Sequence, residues 1–394
     1  MIESSTSLLF KLLFFPLSTL LDIIPVNKNI WVFGTGLGEN YNDNSKYLFE
    51  YVINNNGGKS KIRPIWLTKN KTILETLKKE GKEVYLFHSV KGLFYSLVSG
   101  VVIVSFSWID LPLTSFILRK KKVVQLWHGT PFRKVDFKSG SLFEKLLKVI
   151  FLSYLGREFD LVLVATPKVI EIHRLKNVSN IDEEKIKVTG SPRTDILHKN
   201  YGHFAFLKQG KTEKVFLYLP TWRHYRHNLF DAKYGFNFAR INNFLHKNRS
   251  YLVVKVHPEE FKKYKKLNRL NNSRSRIIFT FVEDIYPFMK SVDCLLTDYS
   301  SVYFDFLILD KPIIFLPFDM EEYVKDNHGF YYDYDWVTAG PKTQNWIETL
   351  TEMKKIILGK DKYKKQRRII DKLFNTYSDG NNSKRVFNEI CNVE

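Results

Sequence analysis

The chain has 394 residues, and 61 Lys and Arg against 41 Asp and Glu give it a formal net charge of +20 at pH 7. Hydrophobic residues make up 44% of the sequence and charged residues 26%, which excludes a globally disordered chain and allows a sizeable core. With only two cysteines, a disulfide framework and a cysteine-rich zinc site are excluded as well.

The positive charge predicts a polyanionic partner, which is nucleic acid, an anionic membrane surface or a phosphate-rich substrate. A solvated lysine-rich surface explains the same charge equally well. Basic runs beside apolar segments, such as Arg119–Lys122, favour an anionic lipid surface. Because the sequence has no helix-turn-helix, zinc-finger or RNA-binding sheet motif, no nucleic-acid partner is expected.

Residues 1–28 are predicted to form an apolar, membrane-associating segment. The stretch Leu8–Ile24 is mostly apolar, but Lys11, Pro16 and Asp22 interrupt it. It is short for a spanning helix, which needs roughly 20 apolar residues. The start of the chain is not basic, as a secretory signal would be. A helix that lies on the membrane or packs on the body of the protein is therefore favoured over a span.

From residue 29 onwards, short apolar strands alternate with amphipathic helices, which is typical of parallel sheets with crossover helices. The first half of the chain has predicted strands at 30–34, 61–67, 83–87, 101–105, 123–127, 160–165 and 187–190. Its predicted helices are 45–54, 71–80, 92–99 and 168–175. Together they predict an N-terminal Rossmann-like domain over residues 29–200.

The periodicity is lost between Ser191 and Thr212, which places the domain boundary near residue 200. Beyond it, strands are predicted at 215–219, 251–256, 277–281, 294–297 and 312–316. Helices are predicted at 236–247, 285–291, 302–309, 346–358 and 362–375, the last two closing the chain. The fold class is therefore α/β, with a second doubly wound domain over 201–394 and a cleft between the two domains.

The residues that follow the predicted strands carry the chemistry, because ligands of open α/β sheets bind beyond the carboxyl ends of the strands. These positions contain two histidines, two arginines and several hydroxyl groups. They are His128, Gly129, Thr130, Ser191, Arg193, Thr221, Trp222, Arg223, His257, Pro258, Ser300 and Ser301. Arg binds phosphate bidentately and His transfers protons near neutral pH, so the set predicts phosphate chemistry.

Three candidate residues at the predicted helix 302–309 also have simpler explanations. Ser300 and Ser301 precede the predicted helix 302–309, where they either cap it or present backbone amides to an anion. Asp305 lies one turn into that helix, where it either accepts hydrogen bonds from a polyol hydroxyl or is a solvated helix residue.

The two histidines are the strongest pair, because each follows a strand in a different predicted domain. A metal site is the alternative, but no acidic motif completes the ligand set around His128 and His257. Gly34, Gly36 and Gly38 match only the first part of a dinucleotide fingerprint. Neither a metal nor a cofactor is therefore predicted.

Four motifs, in this order along the chain, closely resemble the CDP-glycerol glycerophosphotransferases of wall teichoic acid and capsule synthesis. They are Gln125–Pro131, Leu219–Arg223, Lys255–Pro258 and Leu296–Asp305, with further matches at Asp43–Tyr47 and Gly190–Asp195. The resemblance runs from about residue 29 to residue 334. It implies two Rossmann-like domains in the GT-B arrangement.

The resemblance also implies a donor site and two important histidines, which fall on His128 and His257. The CDP-glycerol site would comprise His128, Gly129, Thr130, Pro131, Phe132, Arg193, Thr221, Trp222, Arg223, Val256, His257, Pro258, Ser300, Ser301 and Asp305. An acceptor hydroxyl attacks the β-phosphorus of CDP-glycerol and CMP leaves. We assign His128 as the general base and His257 to the pyrophosphate or the leaving group, although the two roles are interchangeable on the sequence alone.

The resemblance further implies where the enzyme acts. The acceptor is an undecaprenyl-diphosphate-linked saccharide or polymer, so the enzyme sits peripherally on the cytoplasmic face of the cell membrane. Residues 140–155, with lysines among Leu and Phe, are a further candidate for membrane contact.

Three alternatives remain open on the sequence. They are a CDP-ribitol donor, a GT-B nucleotide-sugar glycosyltransferase, and a non-enzymatic nucleic-acid or membrane-binding module. The choice between a primase, a polymerase and a capsule repeat-unit enzyme is also open.

Overall fold

A computed structural model provides the structure of the protein. It describes residues 22–55, 61–106, 108–116, 120–134, 159–166, 183–199, 213–221, 223, 229–255, 275–280, 282–326 and 329–392. Several predicted features lie outside the described residues. They are most of segment 1–28, the candidate membrane contact 140–155, the predicted helix 168–175, and the site residues Trp222, Val256, His257 and Pro258.

The chain forms two compact units. One comprises Met1–Gly129, Asp136–Asp195 and Thr376–Glu394, and the other comprises Thr130–Val135 and Ile196–Asn375. We call them the first and the second unit. This division differs from the predicted one, in which the second domain contains the whole C-terminus, because the last residues of the chain belong to the first unit.

The first unit is built on a seven-stranded parallel sheet. Its strands are β1 (Asn27–Gly34), β2 (Arg63–Thr68), β3 (Val84–Leu86), β4 (Ser99–Val104), β5 (Lys122–Gln125), β6 (Leu161–Val164) and β7 (Ile186–Val188). They are arranged in the order β3-β2-β1-β4-β5-β6-β7. All residues of β4 and β6 are buried, as expected of central parallel strands that are covered on both faces.

Helices α1 (Asp43–Asn55), α2 (Lys71–Lys79) and α3 (Val90–Val98) connect the first four strands. The Asn70 side chain caps α2 by accepting hydrogen bonds from the amides of Thr72 and Ile73. Ile73 and Leu77, four residues apart, form the buried stripe of that helix.

The second unit repeats this plan with five parallel strands. They are β8 (Lys214–Leu219), β9 (Ser250–Lys255), β10 (Ile277–Thr280), β11 (Cys294–Thr297) and β12 (Ile313–Phe315), in the order β10-β9-β8-β11-β12. Its helices are α4 (Phe238–Lys247), α5 (Tyr286–Met289), α6 (Val302–Leu307), α7 (Met320–Asp326), α8 (Tyr334–Val337), α9 (Trp346–Ile357) and α10 (Lys364–Phe374). The α/β class with parallel sheets is confirmed.

The end of the chain differs from the prediction, in which α10 is the closing helix. A further helix, α11 (Asn382–Asn392), follows and belongs to the first unit. The Asp195 carboxylate accepts hydrogen bonds from the amides of Asn382 and Ser383 at 2.8 and 2.7 Å. Gly190 has a φ of +79°, and a Cβ there would lie 2.2 Å from Oδ1 of Asn382. The start of α11 therefore depends on a close approach that only glycine permits.

Within the described part of the chain, no helix is long and apolar enough to cross a membrane.

The cap on α11 leads to a prediction for stability. Asp195→Ala leaves two buried amides without an acceptor, so we expect it to lower the free energy of unfolding by about 2 kcal/mol. Chemical denaturation monitored by tryptophan fluorescence measures the change. As a control, Asp379→Ala removes an ion pair with Arg385 at the surface and should cost less than about 1 kcal/mol. Equal losses in the two variants would contradict the proposed importance of the cap.

Candidate active site

In each of the two sheets, the strand order reverses once. The place of this reversal defines where a ligand can bind to that sheet. In the first unit the order runs outward in both directions from β1 and β4, and in the second unit from β8 and β11. Thr221 and Asp298 follow the two inner strands of the second unit, and His128 follows β5 of the first.

In the first unit, His128 lies on a loop with unusual backbone geometry. Trp127 and Gly129, on either side of it, have φ values of +55° and +133°. Asn44 holds this turn, because its Nδ2 donates to the carbonyls of Leu126 and Trp127 at 3.2 and 2.7 Å. A left-handed tryptophan is strained, so the surrounding contacts have to enforce it.

Arg193 connects the His128 loop to the start of α1. Its Nη1 donates to the carbonyl of His128 at 2.7 Å and to Oδ1 of Asp43 at 2.8 Å. Its backbone amide donates to Oδ1 of Asn44 at 3.1 Å. Arg193 is 4% exposed, so these contacts are shielded from water. The structure thus brings together three of the sequence motifs that are far apart along the chain.

The imidazole of His128 lies against the ring of Phe106, with the ring centroids 4.8 Å apart. Phe106 follows β4, and its amide donates to Oδ2 of Asp110 at 2.7 Å. His128 is exposed while its backbone is held, which suits a side chain that exchanges a proton with a bound substrate.

The centre of the second unit's site is a buried cation between two buried carboxylates. Arg223 binds Asp319 through Nε and Nη2 at 2.5 and 2.7 Å, and its Nη1 lies 2.8 Å from Oδ2 of Asp298. Both aspartates are 0% exposed and Arg223 is 6% exposed. Burial alone would lower the pKa of Arg223, but Asp298 and Asp319 outweigh it and raise that pKa above its usual value. Arg223 therefore stays charged.

Asp298 also organises the loop after β8. Its carboxylate accepts from the Thr221 amide at 2.9 Å and from the Thr221 hydroxyl at 2.6 Å. It further accepts from the Tyr299 amide at 2.6 Å. Nη1 of Arg223 donates to the Thr221 carbonyl at 2.6 Å. Two loops that both carry predicted site residues are thus held by one carboxylate.

Aromatic rings enclose the Arg223 guanidinium. The ring centroids of Tyr299 and Tyr323 are 3.8 Å apart, and the guanidinium carbon lies 5.3 and 5.8 Å from them. The Tyr299 hydroxyl donates to Oδ1 of Asp319 at 3.0 Å. Burial, reinforced by Asp319 and Asp298, raises the pKa of Tyr299. Nη1 of Arg133 donates to the Tyr323 hydroxyl at 3.1 Å.

The predicted site residues Thr130 and Phe132 lie in the short segment that belongs to the second unit. Phe132 is 1% exposed and its ring packs against those of Phe304, Phe330 and Tyr334. Its carbonyl accepts from the Tyr331 amide at 3.0 Å. Phe132 thus anchors the segment in the core.

Ser301 occupies the N-cap position of α6, as predicted, but its side chain accepts no capping hydrogen bond. Among the described residues, none accepts a hydrogen bond from the backbone amides of Ser300 and Ser301. Asp305 is 3% exposed, which excludes a solvated helix residue. Its Oδ2 accepts from the Tyr286 hydroxyl at 2.5 Å.

Lys255 is the last residue of β9 and the first residue of the motif Lys255–Pro258, whose other three residues lie outside the described residues. Burial lowers the pKa of Lys255, and the charges of Asp284 and Glu283 oppose this shift.

Asp319, Tyr323 and Arg133 were not among the predicted site residues. Asp319 could have been found from its position in the loop that follows β12, although it lies four residues beyond the strand whereas Asp298 directly follows β11. Tyr323 and Arg133 have no such signal, since their roles depend on how α7 and the 130–135 segment pack. In the described part of the chain, no three His, Cys, Asp or Glu side chains are grouped as metal ligands.

The family model for CDP-glycerol:poly(glycerophosphate) glycerophosphotransferases matches residues 16–392. The chain is 26% identical over 383 residues to the teichoic acid glycerol-phosphate transferase of Staphylococcus aureus (strain NCTC 8325 / PS 47), covering 91% of this chain and 92% of the relative. It is 27% identical over 396 residues to the teichoic acid poly(glycerol phosphate) polymerase of Bacillus spizizenii (strain ATCC 23059 / NRRL B-14472 / W23), covering 94% of each.

A structure of the wall teichoic acid polymerase TagF has a similar fold. It matches with a TM-score of 0.73 at 21% identity, covering 99% of this chain and 98% of the TagF chain.

The geometry around Arg223 predicts a large loss of stability when this residue is replaced. Arg223→Met leaves two buried carboxylates without their cation, so we expect a destabilisation of about 3–5 kcal/mol. The melting temperature measures it. Arg63→Met, which removes an exposed ion pair with Glu83, is the control and should cost less than about 1 kcal/mol. If Arg223→Met kept the wild-type melting temperature, its role would be that of a ligand contact.

Proposed function

The chain belongs to the CDP-glycerol:poly(glycerophosphate) glycerophosphotransferase family, and we propose that its acceptor is a hydroxyl of an undecaprenyl-diphosphate-linked saccharide or polymer. The enzyme transfers glycerol phosphate from CDP-glycerol in teichoic acid synthesis. The observation that supports a catalytic site in the first unit is the exposed imidazole of His128 on a loop held by Arg193 and Asn44.

The reaction proposed for this site is a displacement at phosphorus. The acceptor oxygen forms a bond to the β-phosphorus of CDP-glycerol while the bond from that phosphorus to the bridging oxygen breaks. The bridging oxygen leaves with CMP and takes the electron pair of the broken bond. The proton of the acceptor hydroxyl passes to His128. A phosphodiester and CMP are the products.

His128 is proposed as the general base because its ring is accessible while its backbone is fixed. The Arg193 guanidinium donates to the carbonyl of His128, and the Asn44 side-chain amide donates to the carbonyl of the preceding residue. The ring of Phe106 packs against the imidazole. A base that is positioned before the substrate arrives loses little entropy on reaction. Such a base is typically worth about 10²- to 10⁴-fold in rate.

The donor is proposed to bind at the strand ends of the second unit. Ser300 and Ser301 offer backbone amides for phosphate oxygens. Thr221, whose loop Asp298 holds, and Asp305, in the same motif as the serines, are the further proposed contacts. Arg223 is assigned a positioning role, since Asp298, Asp319 and the Thr221 carbonyl take its described contacts. It holds the loops that carry the donor contacts.

The remaining predicted contacts stay proposals based on the family resemblance. His257 would bind the pyrophosphate or assist the leaving group, with Trp222, Val256 and Pro258 beside it. Gly129, Thr130 and Pro131 would contribute the loop after β5. The two units would face each other across a cleft in the GT-B manner. No cofactor or metal ion takes part in this scheme.

The enzyme is proposed to work peripherally on the cytoplasmic face of the cell membrane, where a lipid-linked acceptor is accessible. The net charge of +20 supports attraction to an anionic membrane surface. Segments 1–28 and 140–155 are the proposed membrane contacts. Wall teichoic acid and capsule are the candidate products.

The assignment of His128 predicts a defect in turnover. His128→Ala should lower kcat for CMP release from CDP-glycerol by about 10²- to 10⁴-fold, because the acceptor hydroxyl loses its base. The melting temperature should stay near that of the wild type, since the imidazole is exposed. Steady-state CMP release on a lipid-linked acceptor measures the effect. His88→Ala, an exposed histidine of the same unit, is the matched control. Near-normal transfer by the His128 variant would reject the assignment.

The choice of donor is tested by comparing nucleotides at equal concentration. We expect CDP-glycerol to give a kcat/KM for CMP release at least about tenfold above that of CDP-ribitol. The longer ribitol chain would crowd a pocket shaped for glycerol, which raises the free energy of its transition state. The reverse preference would identify a ribitol phosphate transferase. Release of UDP from a UDP-sugar with no CMP release from either donor would identify a glycosyltransferase.

A further inference from the structure

The outer face of helix α10 carries a row of cations that the proposed chemistry does not use. Lys364, Arg368 and Lys372 follow one another at four-residue spacing, and Lys365 lies beside them. All four are exposed. We call these four residues the cationic row. With Ile369 they line a surface groove of about 410 Å³.

The cationic row has an excess of positive charge. Asp310 is the acidic partner, and its Oδ2 lies 2.8 Å from Arg368 and 4.0 Å from Lys364. Lys365 and Lys372 form no ion pair with any residue that the structure describes. Asp310 also lies 3.9 Å from Arg367, outside the row, so the row keeps a net positive charge, and neighbouring like charges favour the arrival of an anion.

We propose that the cationic row binds the poly(glycerol phosphate) chain itself, away from the strand ends where the donor would react. This proposal depends on the proposed function, because that function supplies a polymer of this chemistry. Poly(glycerol phosphate) is a flexible linear polyanion with one negative charge per repeat. A linear row of cations complements it in charge and in shape.

The spacing of charges supports this occupant. Residues four apart on a helix are separated by about 6 Å along its axis. Six covalent bonds link successive phosphorus atoms when the terminal oxygens of glycerol carry the phosphates. Two fully extended peptide repeats, also six bonds, span at most about 7 Å, so an only slightly shortened polymer repeat fits the row. Flexible lysine side chains absorb the remaining difference.

A membrane surface fits this face less well. A helix that lies on a bilayer inserts its apolar side among the lipids. The apolar side of α10 is already used, because Ile370 and Phe374 are buried in the core of the second unit. Ile369 is the one apolar residue on the cationic face of this helix, and it is 51% exposed. A single line of charge also suits a chain better than a plane of headgroups.

Binding there would keep a growing acceptor attached between transfers. The expected consequence is a KM that falls as the acceptor becomes longer, with no change in kcat. Acceptors too short to reach the cationic row would not show this dependence.

The test uses the full chain and a soluble synthetic oligomer of glycerol phosphate longer than the cationic row, without donor. Lys365→Gln/Lys372→Gln removes the two cations that have no ion pair, so the contacts of Asp310 stay intact. Lys78→Gln/Lys79→Gln removes the same charge from an exposed helix end of the first unit. Fluorescence anisotropy of labelled oligomer measures Kd, and phosphatidylglycerol vesicles are titrated in parallel.

We expect the α10 variant to weaken oligomer binding roughly fivefold and the control variant to leave it unchanged. High salt should remove the difference, because exposed charges are screened over about 8 Å at physiological ionic strength. Equal Kd values for the two variants would overturn the proposal. So would a loss confined to vesicle binding, which would indicate a membrane contact. A wild-type protein that binds the oligomer but releases no CMP from CDP-glycerol would refute the proposed function and leave the cationic row in place.

Discussion

The second unit depends on one buried charge cluster, in which Arg223 lies between Asp298 and Asp319. Two carboxylates without solvent exposure are costly unless a cation and further hydrogen bonds compensate them. Here the compensation links the loops after three strands, since Asp298 also holds the Thr221 and Tyr299 amides and Asp319 holds the Tyr299 hydroxyl. The polar cluster therefore fixes the backbone beside Ser300, where a donor phosphate is proposed to bind.

The first unit also fixes a strand-end loop, mainly by hydrogen bonds that side chains donate to backbone carbonyls. Its strand-end loop is strained at Trp127, and the amide of Asn44 and the guanidinium of Arg193 bind the carbonyls around it. In both units an arginine donates a hydrogen bond to a backbone carbonyl and so holds a loop in place. The groups proposed to contact the substrate are a histidine side chain and backbone amides. Preorganised groups of this kind stabilise charge in a transition state without having to reorganise.

The periodicity of the sequence was sufficient to predict the parallel strands and the positions at their ends. A buried strand needs an unbroken apolar run, and the loop that follows it needs polar residues. It was insufficient where function depends on packing. Arg223 follows a strand and has the chemistry of a phosphate ligand, yet its partner Asp319 lies 96 residues away in sequence. The family resemblance identified the motif that contains Arg223, but not that Arg223 holds loops in place through Asp298 and Asp319. The sequence did not predict helix α11, because its partner Asp195 is separated from it by residues 196–375, which belong to the second unit.

The strand ends of the second unit are proposed to bind CDP-glycerol through backbone amides that the buried charge cluster holds in place. Amide hydrogen exchange of the wild-type enzyme, with and without CDP-glycerol, tests it most directly. We expect the donor to slow exchange in the peptide containing Ser300 and Ser301, and to leave exchange in helix α2 of the first unit unchanged. Unchanged exchange at these two serines under saturating donor would contradict the account.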